Sequence, residues 1–128
     1  MDIVLSPSSG KPIYLQIYEQ ITAQILSGKI APGTRLPPIR TVALNLRVSV
    51  IPVKQAWEQL EREGFITTSA GRGTSVAPLE GHEIQAKRSD AAVGILVRDI
   101  EACRAIGVSR DEIVEIVNKA YGKDTLSL

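Results

Sequence analysis

Two short helical patterns that lie only three residues apart constrain the fold of this chain more than any other feature. Both fall between residues 36 and 66, and in each the apolar residues recur at steps of three and four, which places a stripe on one helix face. Two helices joined by so short a break must cross at a steep angle, as in a helix-turn-helix unit. The stripes are Ile39, Val42, Ala43 and Leu46 in the first pattern, and Val53, Ala56, Trp57 and Leu60 in the second.

The residues that border these patterns support the same prediction. Pro38 suits the first turn of the first helix, where its missing N–H costs nothing. Ser49 is a good N-cap for the second helix, and Gly64 suits its end. The second helix of such a unit enters the major groove of DNA. Helix pairs of this kind also occur in proteins that never bind DNA, so the motif alone leaves both functions open. The exposed side of the second helix is predicted to carry Val50, Lys54 and Gln55.

An extended segment after the helix pair predicts a β-hairpin. Residues 65–68 and 74–77 favour strands, and the turn between them holds Arg72 between Gly71 and Gly73. A hairpin directly after a helix-turn-helix unit is called a wing. Glycine lets the backbone approach a partner closely, so this arginine can reach a phosphate or a narrow minor groove. Alternatively, the glycines serve only the positive φ of the turn and the arginine is merely exposed.

The chain before the helix pair is predicted to contain one more helix. Residues 1–10 are rich in Ser, Pro and Gly, which predicts a loose lead-in. A helix is expected from Pro12, with Gly28 as its C-cap. A turn follows at residues 29–34, and residues 35–36 predict a short strand. The buried stripe of this helix is expected to be Leu15, Tyr18, Ile21 with Thr22, and Ile25.

The end of the chain contains two further helical patterns. The first runs from about Glu83 to Ile106, and a capping box of Ser109 and Glu112 opens the second, which Gly122 closes. Their apolar faces are too large to remain uncovered, so they either pack on the first domain or pair with a second chain. We expect pairing, because two copies of a helix-turn-helix unit contact half-sites about 34 Å apart. The predicted dimerisation residues are Leu96, Ile100, Cys103, Ile113, Ile116, Val117 and Tyr121.

The charge distribution agrees with this division of the chain. The net charge is only +1, but residues 1–79 hold eight Lys and Arg against five Asp and Glu, a balance of +3. Residues 80–128 hold seven against nine, a balance of −2. This asymmetry favours a DNA-binding head on a tail that does not bind DNA.

No catalytic constellation is apparent in the sequence. His82 is the only histidine and Cys103 the only cysteine, which excludes a multi-histidine metal site, a cysteine cluster and an intrachain disulfide. We therefore predict a protein that is not an enzyme and needs no cofactor and no metal. No signal peptide opens the chain, and no apolar run approaches the roughly 20 residues that span a bilayer. We expect a cytoplasmic protein with no membrane partner.

Five segments between about Pro12 and Val76 form a recognisable series. In chain order they are Pro-Ile-Tyr-Leu-Gln-Ile, Ser-Gly-Lys-Ile-Ala-Pro-Gly-Thr-Arg-Leu-Pro, Val-Ser-Val-Ile-Pro-Val-Lys-Gln-Ala-Trp, Leu-Glu-Arg-Glu-Gly-Phe-Ile and Gly-Arg-Gly-Thr-Ser-Val. Together they resemble the winged helix-turn-helix domain of the GntR family of bacterial transcription regulators. The opening Pro-Ile-Tyr and the short tail are most similar to the YtrA branch.

The resemblance implies roles for individual residues. It implies that Arg40 contacts a base, that Ser49 contacts a phosphate and that Lys54 faces the major groove. It also implies that the wing tip enters the minor groove and that the tail serves dimerisation. The predicted DNA-contacting residues are Arg40, Thr41, Ser49, Val50, Pro52, Lys54, Gly71, Arg72 and Gly73.

The chain departs from the family pattern at several positions. Pro52 stands where the family usually has a threonine that contacts the DNA backbone, and Pro38 stands where relatives often have serine. Val50 and Ile51 replace an arginine-containing pattern of some branches, and they offer a thymine methyl apolar contact but no hydrogen bond. These changes bear on the operator sequence.

These observations predict a mainly α fold with a small β-wing: a winged helix-turn-helix domain at residues 1–78 and a two-helix dimerisation tail at residues 79–128. The chain is predicted to be a homodimeric transcription regulator that binds double-stranded DNA sequence-specifically and acts as a repressor. Two alternatives are a winged-helix protein-interaction module without specific DNA recognition, and a ligand-sensing regulator with its site in the helical tail. No sequence feature identifies a small-molecule effector.

Overall fold

The structure, a computed structural model, describes residues 1–122 of the chain. Residues 123–128, the end of the predicted tail, lie outside the described residues. The chain divides into two compact units, one of residues 1–85 and one that begins at Ala86. Within residues 1–122 the elements are a 3-10 helix (Pro7–Ser9), α1 (Ile13–Leu26), α2 (Ile39–Leu46), α3 (Val50–Arg62), β1 (Ile66–Ser69), β2 (Gly73–Val76), α4 (Gly81–Ala105) and α5 (Arg110–Tyr121).

The core of the first unit lies where α1, α2 and α3 meet the inner face of the hairpin. The predicted stripes of α2 and α3 are confirmed, because Val42, Ala43 and all four stripe residues of α3 are buried. Ile39 and Leu46 are half-buried and pack against the same cluster. Burying each large aliphatic side chain stabilises the fold by roughly 1.5–3 kcal/mol, so this shared core fixes the crossing of α2 and α3. The members that the three helices contribute are Ile17, Ile21, Ile25, Val42, Ala43, Val53, Ala56, Trp57 and Leu60.

The turn between α2 and α3 is as short as predicted, and it depends on one left-handed residue. Arg47 caps α2 with a φ of +58°, and the next N–H, that of Val48, donates to the carbonyl of Ala43 at 3.0 Å. At its other end α3 closes with a left-handed Gly64, and the N–H of Phe65 donates to the carbonyl of Leu60 at 2.9 Å. This closure is a Schellman motif, which explains why the helix ends at the predicted glycine.

The predicted stripe of α1 is partly wrong. Ile21 and Ile25 are buried as expected, but Leu15 and Tyr18 are only half-buried. Ile17, which the prediction missed, is fully buried. Gln16 and Gln24 are also buried, because α1 buries a second, polar face beside its apolar one. The helix ends at Leu26 with Ser27 as its C-cap, and the predicted cap Gly28 follows with a φ of +81°.

That polar face holds the N-terminal segment, so the prediction of a loose lead-in is wrong. Three glutamine side chains of α1 each accept a main-chain N–H and donate to the carbonyl of the same residue. Two residues of extended chain rise roughly 6.6 Å and four residues of helix roughly 6.0 Å, so alternate residues meet successive glutamines. Ile3 and Leu5, between them, are half-buried against the core. The pairs are Asp2 with Gln24, Val4 with Gln20, and Ser6 with Gln16, at distances of 2.6 to 3.3 Å.

The predicted hairpin is confirmed as two antiparallel strands. The register pairs Ile66 with Val76 and Ser69 with Gly73. The strand expected at residues 35–36 appears as an isolated bridge between Arg35 and Ser75, continued by main-chain bonds on both sides. The segment before α2 therefore lies along the outer edge of β2 and fixes the wing to the helical core.

The tail helices have the predicted bounds within a few residues. The capping box is confirmed: Oγ of Ser109 accepts the Glu112 N–H at 3.2 Å, and the Glu112 carboxylate accepts the Ser109 N–H at 3.3 Å. Neither α4 nor α5 contains a buried residue. Over residues 1–122, no helix is both long and apolar enough to cross a membrane.

Candidate nucleic-acid interface

The start of α3 is built differently from the start of α5, although serine is the N-cap of both. Ser49 has extended backbone angles, with φ −69° and ψ 165°, and its hydroxyl accepts no capping hydrogen bond. An N-cap side chain accepts from the second or third amide of its helix, and the third residue of α3 is Pro52, which has no N–H. In α5 that third residue is Glu112, whose N–H bonds to the Ser109 hydroxyl. Pro52 therefore leaves the Ser49 hydroxyl without the partner that Ser109 has.

Two exposed amides adjoin this hydroxyl. The N–H groups of Val50 and Ile51 occupy the first two positions of α3, where a helix offers them no acceptor of its own. Their partial positive charge adds to the positive end of the helix dipole. Ser49, Val50 and Ile51 are all exposed. A hydroxyl beside two free amides at a helix N-terminus is a suitable site for a phosphate oxygen.

The outward face of α3 carries the residues predicted to contact bases. Val50 and Lys54 are one helical turn apart, as are Ile51 and Gln55, and all four are exposed. Pro52 is half-buried, which agrees with a fold that tolerates it in the first turn. This face combines two apolar side chains with one ammonium and one amide group, so it can contact thymine methyls and hydrogen-bonding base edges.

Arg40 and Thr41 lie in the first turn of α2 and are exposed. Val42 and Ala43 follow immediately and are buried, so the core holds this turn of the helix in place. The side chain of Arg40 projects from a rigid element rather than from a loop, which limits its orientation.

The wing tip is held by Arg35, which is not among the residues predicted to contact DNA. Nη2 of Arg35 donates a hydrogen bond to the main-chain carbonyl of Arg72. The Arg35 guanidinium also lies 3.6 to 3.7 Å from the position that a Cβ of Gly73 would occupy. Gly71 and Gly73 have φ values of +77° and +75°, so both glycines serve the backbone of the turn, while Arg72 is exposed at the tip. Arg35 and Arg72 are 37 residues apart, so no local sequence pattern links them.

A cleft of about 530 Å³ separates the wing from the start of α2. Arg40 lies on its helical side, Gly73 and Thr74 lie on the wing side, and Arg35 is also part of its wall. The structure therefore brings together Arg40 and the wing tip, two of the features predicted to contact DNA. The remaining lining residues are Leu36, Pro37, Pro38, Ile39 and Trp57.

Comparison with known proteins identifies this arrangement. The family described as bacterial regulatory proteins, gntR family, matches residues 13–76. The chain belongs to the gntR family. Its sequence is 31% identical over 108 residues to the HTH-type regulator YhcF of Bacillus subtilis, covering 84% of this chain and 88% of that protein. It is 40% identical over 75 residues to the repressor YtrA of the same organism, covering 59% of this chain and 58% of that protein.

Two solved structures, one of them of a GntR-family transcription factor, have the same fold. YtrA from Sulfolobus acidocaldarius aligns with a TM-score of 0.55 and 33% identity, over 94% of this chain and 97% of that chain. The DNA-binding domain of AraR in complex with operator ORX1 aligns with a TM-score of 0.52 and 26% identity, over 60% of this chain and 96% of that chain. This gntR protein is a DNA-binding transcription regulator of the YtrA-like branch and not an enzyme.

The tail of this gntR protein presents apolar side chains to solvent. On α4, Leu96 and Ile100 are exposed and Cys103 is half-buried, and the steps between them keep them on one helix face. On α5, Ile116, Val117 and Tyr121 are exposed and Ile113 is half-buried. Exposed apolar stripes of this kind favour a helix that has a partner.

Glu80, His82 and Glu83 form a small cluster around the start of α4. Their ligand atoms lie within 4.8 Å of one another, and all three residues are exposed. A carboxylate oxygen of Glu83 accepts the N–H of Glu80 at 3.4 Å, so one member of the cluster already serves as a cap for the helix start. This local role accounts for the arrangement.

Proposed function

We propose that this gntR regulator is a homodimeric repressor that recognises a specific double-stranded operator. In this proposal residues 1–78 are the DNA-binding domain, residues 79–128 join two chains, and the protein acts in the cytoplasm, where its operator would be. The observation that carries the proposal is the cleft that has Arg40 on one side and the wing tip on the other. It supports a head that contacts the two grooves of one duplex at once.

The proposed contacts fall into two groups. Arg40, Val50 and Lys54 contact base edges in the major groove, where donor and acceptor patterns distinguish all base pairs. The Ser49 hydroxyl and the first amides of α3 bind a phosphate, and Thr41 supplies a second hydroxyl beside Arg40. Arg72 enters the minor groove between Gly71 and Gly73, which carry no side chains to obstruct it. The half-buried Pro52 shapes the start of α3 and donates nothing.

The exposed apolar faces of α4 and α5 support pairing of two chains. A single helix-turn-helix unit covers few base pairs, and two units that contact half-sites about 34 Å apart combine their affinity and specificity. Repression then follows from occupancy of a promoter by the dimer. YtrA, to which the chain is 40% identical over 75 residues, is named a transcriptional repressor.

Selection from a random duplex library, followed by competition titration, tests the proposal. We expect the full chain to enrich a two-fold symmetric sequence and to bind it at least about a thousandfold more tightly than random duplex at physiological salt. Footprinting should then show two protected half-sites. Equal affinity for selected and random DNA would contradict specific recognition, and a single protected half-site would contradict the dimer.

A further inference from the structure

We propose that the cleft between the wing and the start of α2 receives the sugar–phosphate backbone of DNA, and that Arg35 binds a phosphate there. This inference rests on the proposed function, because it concerns how the same head is seated on the duplex. It adds a binding site for a phosphodiester and a residue that neither the sequence pattern nor the recognition helix provides.

The shape of DNA places a sugar–phosphate backbone between two neighbouring groove contacts. The major groove of B-DNA is about 12 Å wide and the minor groove about 6 Å wide, and one sugar–phosphate backbone separates neighbouring grooves. A head that places α2 and α3 in the major groove and the wing in the next minor groove must straddle that backbone. The space between Arg40 and Gly73 is the cleft, so the backbone has to pass through it.

The lining of the cleft matches this occupant chemically. Among the described residues that line it, two are arginines, Arg35 and Arg40, and none is acidic. The rest of the wall is largely apolar, with Pro37, Pro38 and Trp57 among its members. A deoxyribose presents apolar carbon atoms and a phosphate presents negative oxygens, so a mostly apolar wall with two guanidinium groups complements both. The two prolines have fixed φ angles, which gives this wall a rigid shape.

Arg35 is held in position for such a contact. Its Nη2 donates to the Arg72 carbonyl, and its guanidinium lies against the Cα side of Gly73. A guanidinium carries five N–H donors in a planar fork, so this bond leaves other donors for an acceptor in the cleft. The bond to the wing also removes side-chain freedom that would otherwise be lost on binding. One residue therefore joins the wing tip to the phosphate beside it.

The salt dependence of DNA binding distinguishes a phosphate contact by Arg35 from a general electrostatic attraction between the protein and DNA. Each phosphate that a protein neutralises contributes roughly 0.9 to the slope of log affinity against log salt concentration. We expect Arg35→Gln to lower the slope by roughly 0.9 per chain on the selected duplex. Arg62→Gln is the matched control: it removes the same charge from an exposed residue in the last turn of α3, roughly 18 Å along the helix axis from Val50. We expect that control to retain the wild-type slope.

Neutral methylphosphonate linkages, placed at one position of the selected duplex at a time, identify the phosphate. One substitution between the two groove contacts should weaken binding of the wild type and of Arg62→Gln but not of Arg35→Gln. Arg35→Lys keeps the positive charge but lacks the planar N–H donors that could bond to the Arg72 carbonyl and a phosphate at once. This variant should keep the salt slope and bind DNA more weakly than the wild type.

Two results would overturn the inference while leaving the proposed function intact. One is that Arg35→Gln and Arg62→Gln have the same slope and the same methylphosphonate profile. Arg35 would then bind no phosphate, and the occupant of the cleft would be a protein segment and not the DNA backbone. The other is that the effect of Arg35→Gln disappears in an Arg72→Gln background, which would make Arg35 a support for the wing alone. If the wild type selects no duplex, the proposed function itself fails.

Discussion

The hydroxyl of Ser49 accepts no amide of its own helix, and Pro52, at the third helical position, removes one of the two amides that could have donated to it. The sequence departure from the family pattern is thus a structural change at the start of the recognition helix. It removes an internal bond from a helix end that adjoins the proposed phosphate site.

This relationship predicts an unusual pair of stability effects. In the wild type, Ser49→Ala removes no capping bond, so we expect the free energy of unfolding to fall by less than about 0.5 kcal/mol. Pro52→Ala restores the third amide, and in that background the same serine substitution should cost about 1 kcal/mol. Urea unfolding followed by the fluorescence of Trp57, the only tryptophan and a buried core residue, measures both. Equal costs in the two backgrounds would contradict the role given to Pro52.

Arg40 is expected to provide specificity rather than bulk affinity. Loss of one good base contact reduces discrimination by roughly 1–3 kcal/mol. Arg40→Ala should therefore weaken binding to the selected operator by about tenfold to a hundredfold and leave binding to random duplex nearly unchanged. Parallel anisotropy titrations on the two duplexes make the comparison. A proportional loss on both would remove Arg40 from base recognition.

Arg72 is expected to behave differently because its partner in the proposal is the charge of the minor groove and its phosphates. Arg72→Ala should weaken binding to operator and to random duplex by similar factors, and it should lower the salt slope by roughly 0.9 for each phosphate that it holds. Titrations at several salt concentrations measure this. Arg62→Gln again serves as the control, and an unchanged slope for Arg72→Ala would refute a phosphate contact.

Tyr18 predicts a stability change at high pH. Burial, and then the hydrogen bond and charge of the Glu63 carboxylate, raise the pKa of the Tyr18 phenol from 10.0 to about 12. The folded state therefore holds this proton more tightly than the unfolded state does. The stabilisation that comes from this raised pKa is complete below pH 10 and is lost as the pH rises toward 12. The free energy of unfolding should fall more steeply between these values in the wild type than in Tyr18→Phe. Parallel slopes would show that the phenol is not perturbed.

The tail predicts which substitutions separate the two chains. A charge on the apolar face of α4 would be buried without a partner in the proposed dimer, so Ile100→Glu should yield monomers in sedimentation velocity. Ala102→Glu places the same charge on the opposite side of α4 and should leave the dimer intact. The monomeric variant should also bind the operator at least tenfold more weakly, since only one half-site can be held at a time. If Ile100→Glu remained a dimer, this face of α4 would be excluded as the dimer interface.

The parts of the fold that were predictable are those whose signal is local. The stripes of α2 and α3 were correct because one apolar face of each helix is buried against one core. The wing was correct because Gly71 and Gly73 mark a turn whose backbone needs positive φ. Ser49 and Gly64 were correctly assigned to helix ends, since capping depends on a few neighbouring residues.

The parts that were missed depend on contacts between distant residues. The second buried face of α1 is polar, and glutamine at four-residue spacing is also typical of a solvent-exposed helix surface, so its burial was not evident. The buried face of α1 was therefore predicted at the wrong position around the helix, and Ile17 was overlooked. Arg35 follows a turn and has no local pattern of its own, and its relation to Arg72 exists only after the wing has folded back.

The three glutamines of α1 have a consequence for how the N-terminal segment tolerates sequence change. Because they bond to main-chain groups, the side chains at residues 2, 4 and 6 contribute nothing to those bonds, and any residue with an N–H is compatible there. Spacing, by contrast, is fixed. Inserting or deleting one residue would exchange the two sides of the segment and bring Ile3 and Leu5 to solvent. The helix thus pairs with this segment as a neighbouring strand would. It fixes the number of residues in the segment and which of them face the core, but it does not fix the side chains at residues 2, 4 and 6.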